Sequence, residues 1–180
     1  MAASYCEAAA GHPLHKAYHD QEYGFPLEQD NALFERLIFE INQAGLSWTT
    51  ILQKQENFRR AYDGFEIERV AAYGEAERAR LLADPGIIRN RLKVAAAITN
   101  AGRILALRGE YGSFAGWLNA HHPLPKAEWV KLFKQNFVFT GGEIVGEFLM
   151  SSGYLPGAHE SWCPVYGRIL ELKPPWARSA

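Results

Sequence analysis

The stretch NALFERLIFEINQA (31–44) has the spacing of a helix that packs one face against a protein core. Its apolar residues recur at intervals of three and four, which is the period of an amphipathic helix. The stripe consists of Leu33, Phe34, Leu37, Ile38, Ile41 and Ala44. Asp30 precedes the stretch directly and is a candidate N-cap, because its carboxylate can accept hydrogen bonds from free helical amides.

Helical spacing continues on both sides of this stretch, and sustained alternation of period two is missing. Residues 76–82 predict a short helix that stops at ADPG (83–86), and a second helix follows over about 88–107. Residues 143–152 predict a further helix, closed by Gly153. We therefore expect an all-α protein.

Length and composition favour one compact domain. The 180 residues are 48% hydrophobic and 13% aromatic, which is enough to bury a sizeable core. We expect a single domain over residues 1–180, with a helical core at about 28–152 and irregular ends. No apolar run is long enough to span a membrane and no secretory signal is visible, so we expect a cytoplasmic protein.

The charge balance bears on possible partners. The formal net charge of −1 argues mildly against nucleic acid, whose binding proteins usually carry a basic surplus. A local patch of cations is sufficient, however, and the basic residues do cluster. The clusters are Arg59 and Arg60, then Arg89, Arg91 and Lys93, then Lys126, Lys131 and Lys134. Taken singly, each cluster also fits a solvated surface.

The two cysteines lie near opposite ends of the sequence, and each has a histidine nearby: Cys6 with His19, and Cys163 with His159. Two thiolates and two imidazoles make a complete tetrahedral ligand set for a structural zinc. Two alternatives stay open. The cysteines can form a disulfide, which a reducing cytoplasm disfavours, or they can be buried free thiols with unrelated histidines.

Glu40 borders the apolar stripe of the first stretch on a helical wheel. The polar arc of that wheel holds Glu35, Arg36, Asn42 and Gln43. A carboxylate at the margin of a buried face is costly unless it is paired or used, which makes Glu40 a candidate functional acid. The alternative is that Glu40 reaches solvent or pairs with Arg36 one turn away.

The segment QAGLSW (43–48) follows this acid directly. Gly45 is expected to end the helix in a left-handed cap, and Leu46, Ser47 and Trp48 to form a loop. An aromatic face can stack on a nucleobase, and an apolar side chain can fill the gap that a flipped base leaves in a duplex. Leu46 and Trp48 can equally be ordinary core residues.

The segment LLADPGIIRNRLK (81–93) predicts two helices joined by a short turn. Gly86 lets the backbone approach a ligand closely, and the free amides that begin the second helix can face a phosphate. Arg89 and Lys93 lie one turn apart and add positive charge. Many such turns bind no ligand.

Five segments together resemble the 3-methyladenine DNA glycosylase I family of the helix-hairpin-helix DNA glycosylases. They are AYHD (17–20), FEINQAGLSW (39–48), DPGIIRNRLK (84–93), NFVFTGG (136–142) and the closing H-x3-C (159–163). The resemblance implies the helix-hairpin-helix glycosylase fold, with a structural zinc ion that joins the terminal segments. It also implies a monofunctional enzyme that hydrolyses the N-glycosidic bond of alkylated purines, chiefly 3-methyladenine, in double-stranded DNA.

The resemblance assigns roles to single residues. The two cysteines and two histidines paired above match the zinc ligands of the family. Glu40 matches the acid that recognises the flipped base, and Tyr18 and Trp48 match aromatic residues of the catalytic, base-binding pocket. Leu46 matches the loop that fills the duplex, and the hairpin around Gly86, with its two cations, matches the site for the DNA backbone.

Several positions depart from the family pattern. Ala8 replaces a usual tryptophan of the pocket, and His15 replaces a usual tyrosine, so His15 joins the predicted base-binding residues. Other departures are Ile41, Asn42, Asn136 and a GYLPGAH segment (153–159) that is one residue longer. These changes predict a pocket that is weaker for 3-methyladenine or roomier.

Three functions follow from these observations. The first is a glycosylase, the second a non-catalytic binder of damaged bases, and the third a zinc-stabilised helical scaffold. Retention of Glu40, Tyr18 and Trp48 favours the enzyme. We expect a monomer without an obligate protein partner.

Overall fold

A computed structural model describes residues 4–178 of the chain, and within that range the regular structure is entirely helical. The described part of the chain contains eleven α-helices: α1 (Tyr5–Ala10), α2 (Pro13–Gln21), α3 (Asp30–Gln43), α4 (Trp48–Ala61), α5 (Ile67–Ala71), α6 (Glu75–Ala83), α7 (Arg91–Tyr111), α8 (Phe114–His121), α9 (Lys126–Asn136), α10 (Gly142–Ser151) and α11 (Pro164–Glu171). Short 3-10 turns occupy Asp63–Phe65 and Pro175–Ala177. None of the described helices has the length and apolarity to cross a membrane. The all-α prediction is confirmed.

Helix α3 lies at the centre of the fold, where it packs against α4, α7, α8 and α10. The five large residues of its predicted stripe, Leu33, Phe34, Leu37, Ile38 and Ile41, are all fully buried. Burial of an apolar side chain of this size contributes about 1.5–3 kcal/mol, so this helix anchors the hydrophobic core.

The prediction that Asp30 caps its own helix is wrong. Gln29 occupies the N-cap position of α3, and Asp30 is its first helical residue. The Asp30 carboxylate instead accepts hydrogen bonds from the backbone amides of Phe114 (3.0 Å) and Ala115 (3.1 Å). A carboxylate is favoured at the free amides that begin a helix, so Asp30 fastens the start of α8 to the start of α3.

The polar arc predicted for α3 is also wrong, because two of its members are buried. The Arg36 guanidinium donates to the carbonyl oxygen of Ser151 over 2.8 Å. The side-chain amide of Asn42 donates to the carbonyl of Ile38, also over 2.8 Å. Neighbouring helices surround α3 on more sides than an amphipathic pattern implies, and these polar groups are satisfied internally.

The predicted hairpin is present as α6, a turn, and α7. Helix α7 begins three residues later than expected because Asn90 caps it, with its side-chain oxygen accepting from the amides of Leu92 and Lys93 (3.0 and 3.1 Å). In the turn, the Gly86 amide donates to the Asp84 carboxylate over 2.7 Å. Several amides expected to face a phosphate are therefore already occupied.

Lys93 was predicted to contact DNA phosphates, and the structure contradicts this. Its side chain is buried, and its ammonium donates to the carbonyls of Asn42 (2.8 Å) and Ala44 (2.7 Å). A cation is favoured at the free carbonyls that end a helix, so Lys93 closes the C-terminal end of α3. The hairpin thus holds the loop after α3 in place.

We predict that Lys93→Met destabilises the protein by about 2–3 kcal/mol, because it leaves two helix-terminal carbonyls without their charged donor. The matched control is Arg91→Met, which removes an exposed cation from the same turn and should change stability by less than about 0.5 kcal/mol. Urea unfolding followed by circular dichroism measures both. Equal losses in the two variants would contradict the capping role.

Candidate active site

A cavity of about 730 Å³ opens between the N-terminal helices, the end of α3, the start of α4 and the start of α10. Aromatic and acidic side chains dominate its walls: Tyr5, Tyr18, Tyr23, Trp48, Glu40 and Glu147. A pocket with mostly apolar walls and a few polar groups is typical of a small-molecule site. The cavity is therefore suited to a flat aromatic ligand.

Glu40 is the most unusual group in this cavity. Its side chain is only 4% exposed, and among residues 4–178 no hydrogen bond or ion pair reaches its carboxylate. Arg36 is engaged elsewhere, by the Ser151 carbonyl and by Glu22 at 3.6 Å. The alternatives that Glu40 reaches solvent or pairs with Arg36 are both wrong.

Burial raises the pKa of Glu40 to about 8, and the nearby carboxylate of Glu147 adds to this effect while Arg36 opposes it. A buried acid with a strongly perturbed pKa in a cleft is a candidate functional group. Because the carboxylate has no partner of its own, it is available to a ligand that carries hydrogen-bond donors or positive charge.

Tyr18 and Trp48 form an aromatic wall beside this acid, with ring centroids 5.2 Å apart. The Arg36 guanidinium lies over the Tyr18 ring, 5.3 Å from its centroid. The Tyr18 hydroxyl and the Trp48 indole nitrogen are buried and have no hydrogen-bond partner among the described residues. Ser47 caps α4, so Trp48 begins that helix and is not part of a loop.

The prediction that His15 binds a base directly is not supported by its position. Its Nδ1 is hydrogen-bonded to the Tyr5 hydroxyl (3.0 Å) and its Nε2 to the Thr49 hydroxyl (2.7 Å). The Tyr5 ring lines the cavity and meets the Tyr23 ring edge to face at 5.2 Å. His15 therefore positions a wall residue, while Ala8 is exposed and not among the lining residues.

The two cysteines and two histidines come together in one buried cluster. The ligand atoms of Cys6, His19, His159 and Cys163 all lie within 4.8 Å of one another. His159 Nδ1 lies 3.7 Å from both sulfur atoms, and His19 Nε2 lies 3.7 Å from the Cys163 sulfur. The cysteines are free, so the disulfide and the unrelated-histidine alternatives are both wrong.

Each histidine of the cluster is oriented through its other ring nitrogen. His19 Nδ1 is hydrogen-bonded to the Asp20 carboxylate, and His159 Nε2 donates to the Tyr23 carbonyl, each over 2.7 Å. Outer partners of this kind orient the imidazoles of metal sites. The donor set therefore fits a metal that prefers sulfur and nitrogen.

The cluster is joined to the cavity through the chain itself. Tyr5 directly precedes Cys6, Tyr18 directly precedes His19, and the Tyr23 carbonyl accepts the hydrogen bond from His159. Three wall residues of the cavity are thus fixed by the same four-residue cluster.

The family model of methyladenine glycosylases matches residues 8–135. The chain belongs to the methyladenine glycosylase family. It is similar to the DNA-3-methyladenine glycosylase of Haemophilus influenzae, with 32% identity over 166 residues that cover 82% of this chain and 89% of that protein. It is also similar to DNA-3-methyladenine glycosylase 1 of Escherichia coli, with 44% identity over 102 residues, or 57% of this chain and 54% of that protein.

Solved structures of 3-methyladenine DNA glycosylase I are similar to this family member over most of its length. The enzyme from Staphylococcus aureus matches with a TM-score of 0.81 and 33% identity over 91% of this chain and 97% of that one. A variant enzyme in complex with 3-methyladenine also matches with a TM-score of 0.81 and 33% identity, over 88% and 96% of the two chains. This chain therefore has the fold of 3-methyladenine DNA glycosylase I.

Other predicted DNA-contacting residues of this methyladenine glycosylase lie at the surface. Leu46 is 38% exposed and follows Gly45, whose φ of 78° matches the predicted left-handed cap. Arg89 is exposed beside the turn. At Gly86 a Cβ would lie 2.9 Å from the Asp84 carboxylate and 3.2 Å from Asn57, so this glycine permits close packing of the turn on α4.

Four aromatic or acidic residues of the cavity were not predicted from the sequence: Tyr5, Tyr23, Glu143 and Glu147. The first two carried a signal, because Tyr5 adjoins a predicted zinc ligand and Tyr23 lies one turn after His19. Glu143 and Glu147 carried none, since residues 143–152 predict only a helix closed by Gly153.

We predict that Glu40→Gln stabilises this methyladenine glycosylase at alkaline pH. The Glu40 carboxyl group loses its proton near pH 4.5 in the unfolded chain and near pH 8 in the native protein. Between these two pH values the unfolded state binds fewer protons, so the free energy of unfolding falls as pH rises. Glutamine does not ionise, so the variant should gain about 2–4 kcal/mol at pH 8 and little at pH 4.5. Chemical unfolding across pH 4–9 measures the difference, and a pH-independent difference would contradict the raised pKa.

Proposed function

We propose that this methyladenine glycosylase hydrolyses the N-glycosidic bond of alkylated purines in DNA, with 3-methyladenine as its principal substrate. The observation that carries the proposal is the buried, unpartnered carboxylate of Glu40 beside the rings of Tyr18 and Trp48. The proposal is further supported by family membership and by the named activity of the H. influenzae and E. coli relatives.

The proposed chemistry follows from the charge of the substrate. Methylation at N3 makes the base cationic and a good leaving group, so little acid catalysis is required. Glu40 would accept hydrogen bonds from the exocyclic amine and stabilise the positive ring, while Tyr18 and Trp48 stack on its faces. The bond from the sugar to the base breaks, and its electron pair neutralises the base.

Water completes the reaction by adding to C1′ of the oxocarbenium-like sugar and losing a proton to solvent, which leaves an abasic site. Within residues 4–178, no lysine lines the cavity. The ammonium of Lys93, in the hairpin, donates to two backbone carbonyls and is not free to act as a nucleophile. These positions support a monofunctional enzyme without strand cleavage.

Flipping the base into the cavity requires contacts with double-stranded DNA. We propose that Leu46, exposed on the loop after α3, fills the gap in the duplex. The turn at Gly86 and the exposed Arg89 would contact the phosphate backbone without reading sequence. The protein would act as a monomer in the cytoplasm, where a reducing environment keeps its two thiols free.

We propose that the ion held by the cysteine–histidine cluster is a structural zinc. Tetrahedral zinc with bonds of about 2.0 Å to nitrogen and 2.3 Å to sulfur separates its ligand atoms by about 3.3–3.8 Å. The observed nitrogen–sulfur separations of 3.7 Å fit this range. Cys6, His19, His159 and Cys163 would use all four positions, so the ion would fasten the chain ends together and take no part in the reaction.

A non-catalytic binder of damaged bases receives no support. The relatives are named as glycosylases, and Ala8, the main departure from the family pattern, is exposed and lies outside the cavity lining. A bare scaffold does not explain why a carboxylate should be buried without a partner, because such burial lowers stability.

The proposed function predicts that wild type releases free 3-methyladenine from methylated genomic DNA and that Glu40→Gln loses at least about a hundredfold in rate, since the amide carries no charge for the cation. Chromatography of the released bases measures this. Glu171→Gln, an exposed change on α11, is the matched control and should keep full activity. Absence of 3-methyladenine release by wild type would contradict the proposed function.

The proposed zinc predicts one equivalent of zinc per chain by plasma mass spectrometry. Cys163→Ser should lose the ion and with it the ordered walls formed by Tyr5, Tyr18 and Tyr23. His12→Gln, a change at an exposed histidine outside the cluster, should keep the ion. Fully folded wild-type protein without bound metal would contradict a structural zinc.

A further inference from the structure

We propose that Glu147 is a second substrate-binding carboxylate, which makes the cavity selective for positively charged purine bases over neutral ones. The inference rests on the proposed function in so far as the occupant is a nucleobase. It adds a specificity-determining residue on α10 to the acid already placed on α3.

The position of Glu147 is set by the packing of two helices. Helix α10 (Gly142–Ser151) packs against α3, and both helices present acids to the same cavity: Glu40 from α3, Glu147 and the more exposed Glu143 from α10. The Tyr23 hydroxyl donates to Oε2 of Glu147 over 3.3 Å. Within the described residues no donor reaches Oε1, so that oxygen is left for an occupant of the cavity.

The ionisable groups around Glu147 are mostly acids. Glu40 faces it from α3, and Glu143 lies one turn earlier on α10. The Lys126 ammonium on α9 acts on Glu147 from a distance, but it lies 3.9 Å from Glu143 and forms no ion pair with Glu147 in residues 4–178. Of the three acids that line the cavity, Glu143 is paired with Lys126, whereas Glu40 and Glu147 have no ion-pair partner among the described residues.

This arrangement is costly for the empty protein and favourable for a cationic occupant. Burial is the main cause that raises the pKa of both Glu40 and Glu147, and a neighbouring acid adds to each effect. Arg36 opposes the rise at Glu40, and the Tyr23 hydrogen bond and Lys126 oppose it at Glu147, without cancelling it. A cationic base between them would compensate both charges at once. A neutral base would gain only hydrogen bonds and would favour the protonated acids, so the second acid discriminates between the two classes.

A purely structural role for Glu147 makes a different prediction. If its only task were to hold the Tyr23 ring, Glu147→Gln would have little effect, because the side-chain oxygen of glutamine can still accept the hydrogen bond from Tyr23. If the substitution did displace the Tyr23 ring, the affinity for cationic and for neutral ligands would fall by the same factor. Selectivity for charge is therefore the decisive readout.

The test compares two free bases of matched shape, the fixed cation 3,9-dimethyladeninium and neutral 9-methyladenine. Their dissociation constants are measured at pH 8 by tryptophan fluorescence and calorimetry. Wild type should bind the cation more tightly, and Glu147→Gln should weaken the cation roughly tenfold while leaving the neutral base within about twofold. The matched control Glu75→Gln removes the same charge from an exposed position on α6, outside the cavity, and should change both constants by less than about twofold.

Three results would overturn the proposal. They are a wild type that does not prefer the cation, an equal loss for both bases in Glu147→Gln, and an unchanged preference in that variant. Release of 3-methyladenine from DNA is judged separately. If Glu147→Gln keeps the preference for the cation and wild type releases 3-methyladenine, only the proposed role of Glu147 is contradicted. If the preference for the cation depends on Glu147 but wild type releases no 3-methyladenine, only the glycosylase function is contradicted.

Discussion

A carboxylate buried without a partner is the constraint on which this structure depends. Glu40 lies on the central helix, shielded from solvent, and the one nearby guanidinium is occupied by a carbonyl and by Glu22. Folding must therefore tolerate an unfavourable group at the centre of the molecule. Proteins retain such groups where the strain serves binding, and here a cationic base would relieve it.

The surroundings of that acid are held by contacts that come from distant parts of the chain. Lys93 closes α3 from the hairpin, and the cysteine–histidine cluster fixes the tyrosines of the N-terminal helices. The cluster joins segments about 150 residues apart in sequence, so the aromatic walls depend on both chain ends. The geometry of the site is thus set by contacts with the hairpin and with both ends of the chain.

Much of the fold was predictable from sequence because its signals are local. The stripe of α3, the hairpin and the pairing of each cysteine with a histidine could all be identified without the structure. The errors concern residues whose partners are distant. Asp30 caps a helix 84 residues further on, and Lys93 reaches back 51 residues to α3, so neither role is visible in a local pattern.

The site shows the same division. Glu40 was identifiable from its place at the edge of a stripe, but whether it was paired depended on what Arg36 contacts across the fold. His15 was interpreted as a base contact, although its partners Tyr5 and Thr49 make it a support for the cavity wall. Glu147 could be placed only once α10 was known to pack on α3.

The central claim is that the Glu40 carboxyl group is destabilised in the empty protein and charged when a cationic base is bound. Carbon NMR of the labelled Glu40 carboxyl group, titrated with and without saturating 3,9-dimethyladeninium, tests this directly. We expect a pKa of about 8 in the free protein and a pKa below about 6 in the complex, because the cation favours the ionised form. A free-protein pKa near the ordinary 4.5, or one that the ligand leaves unchanged, would contradict the account.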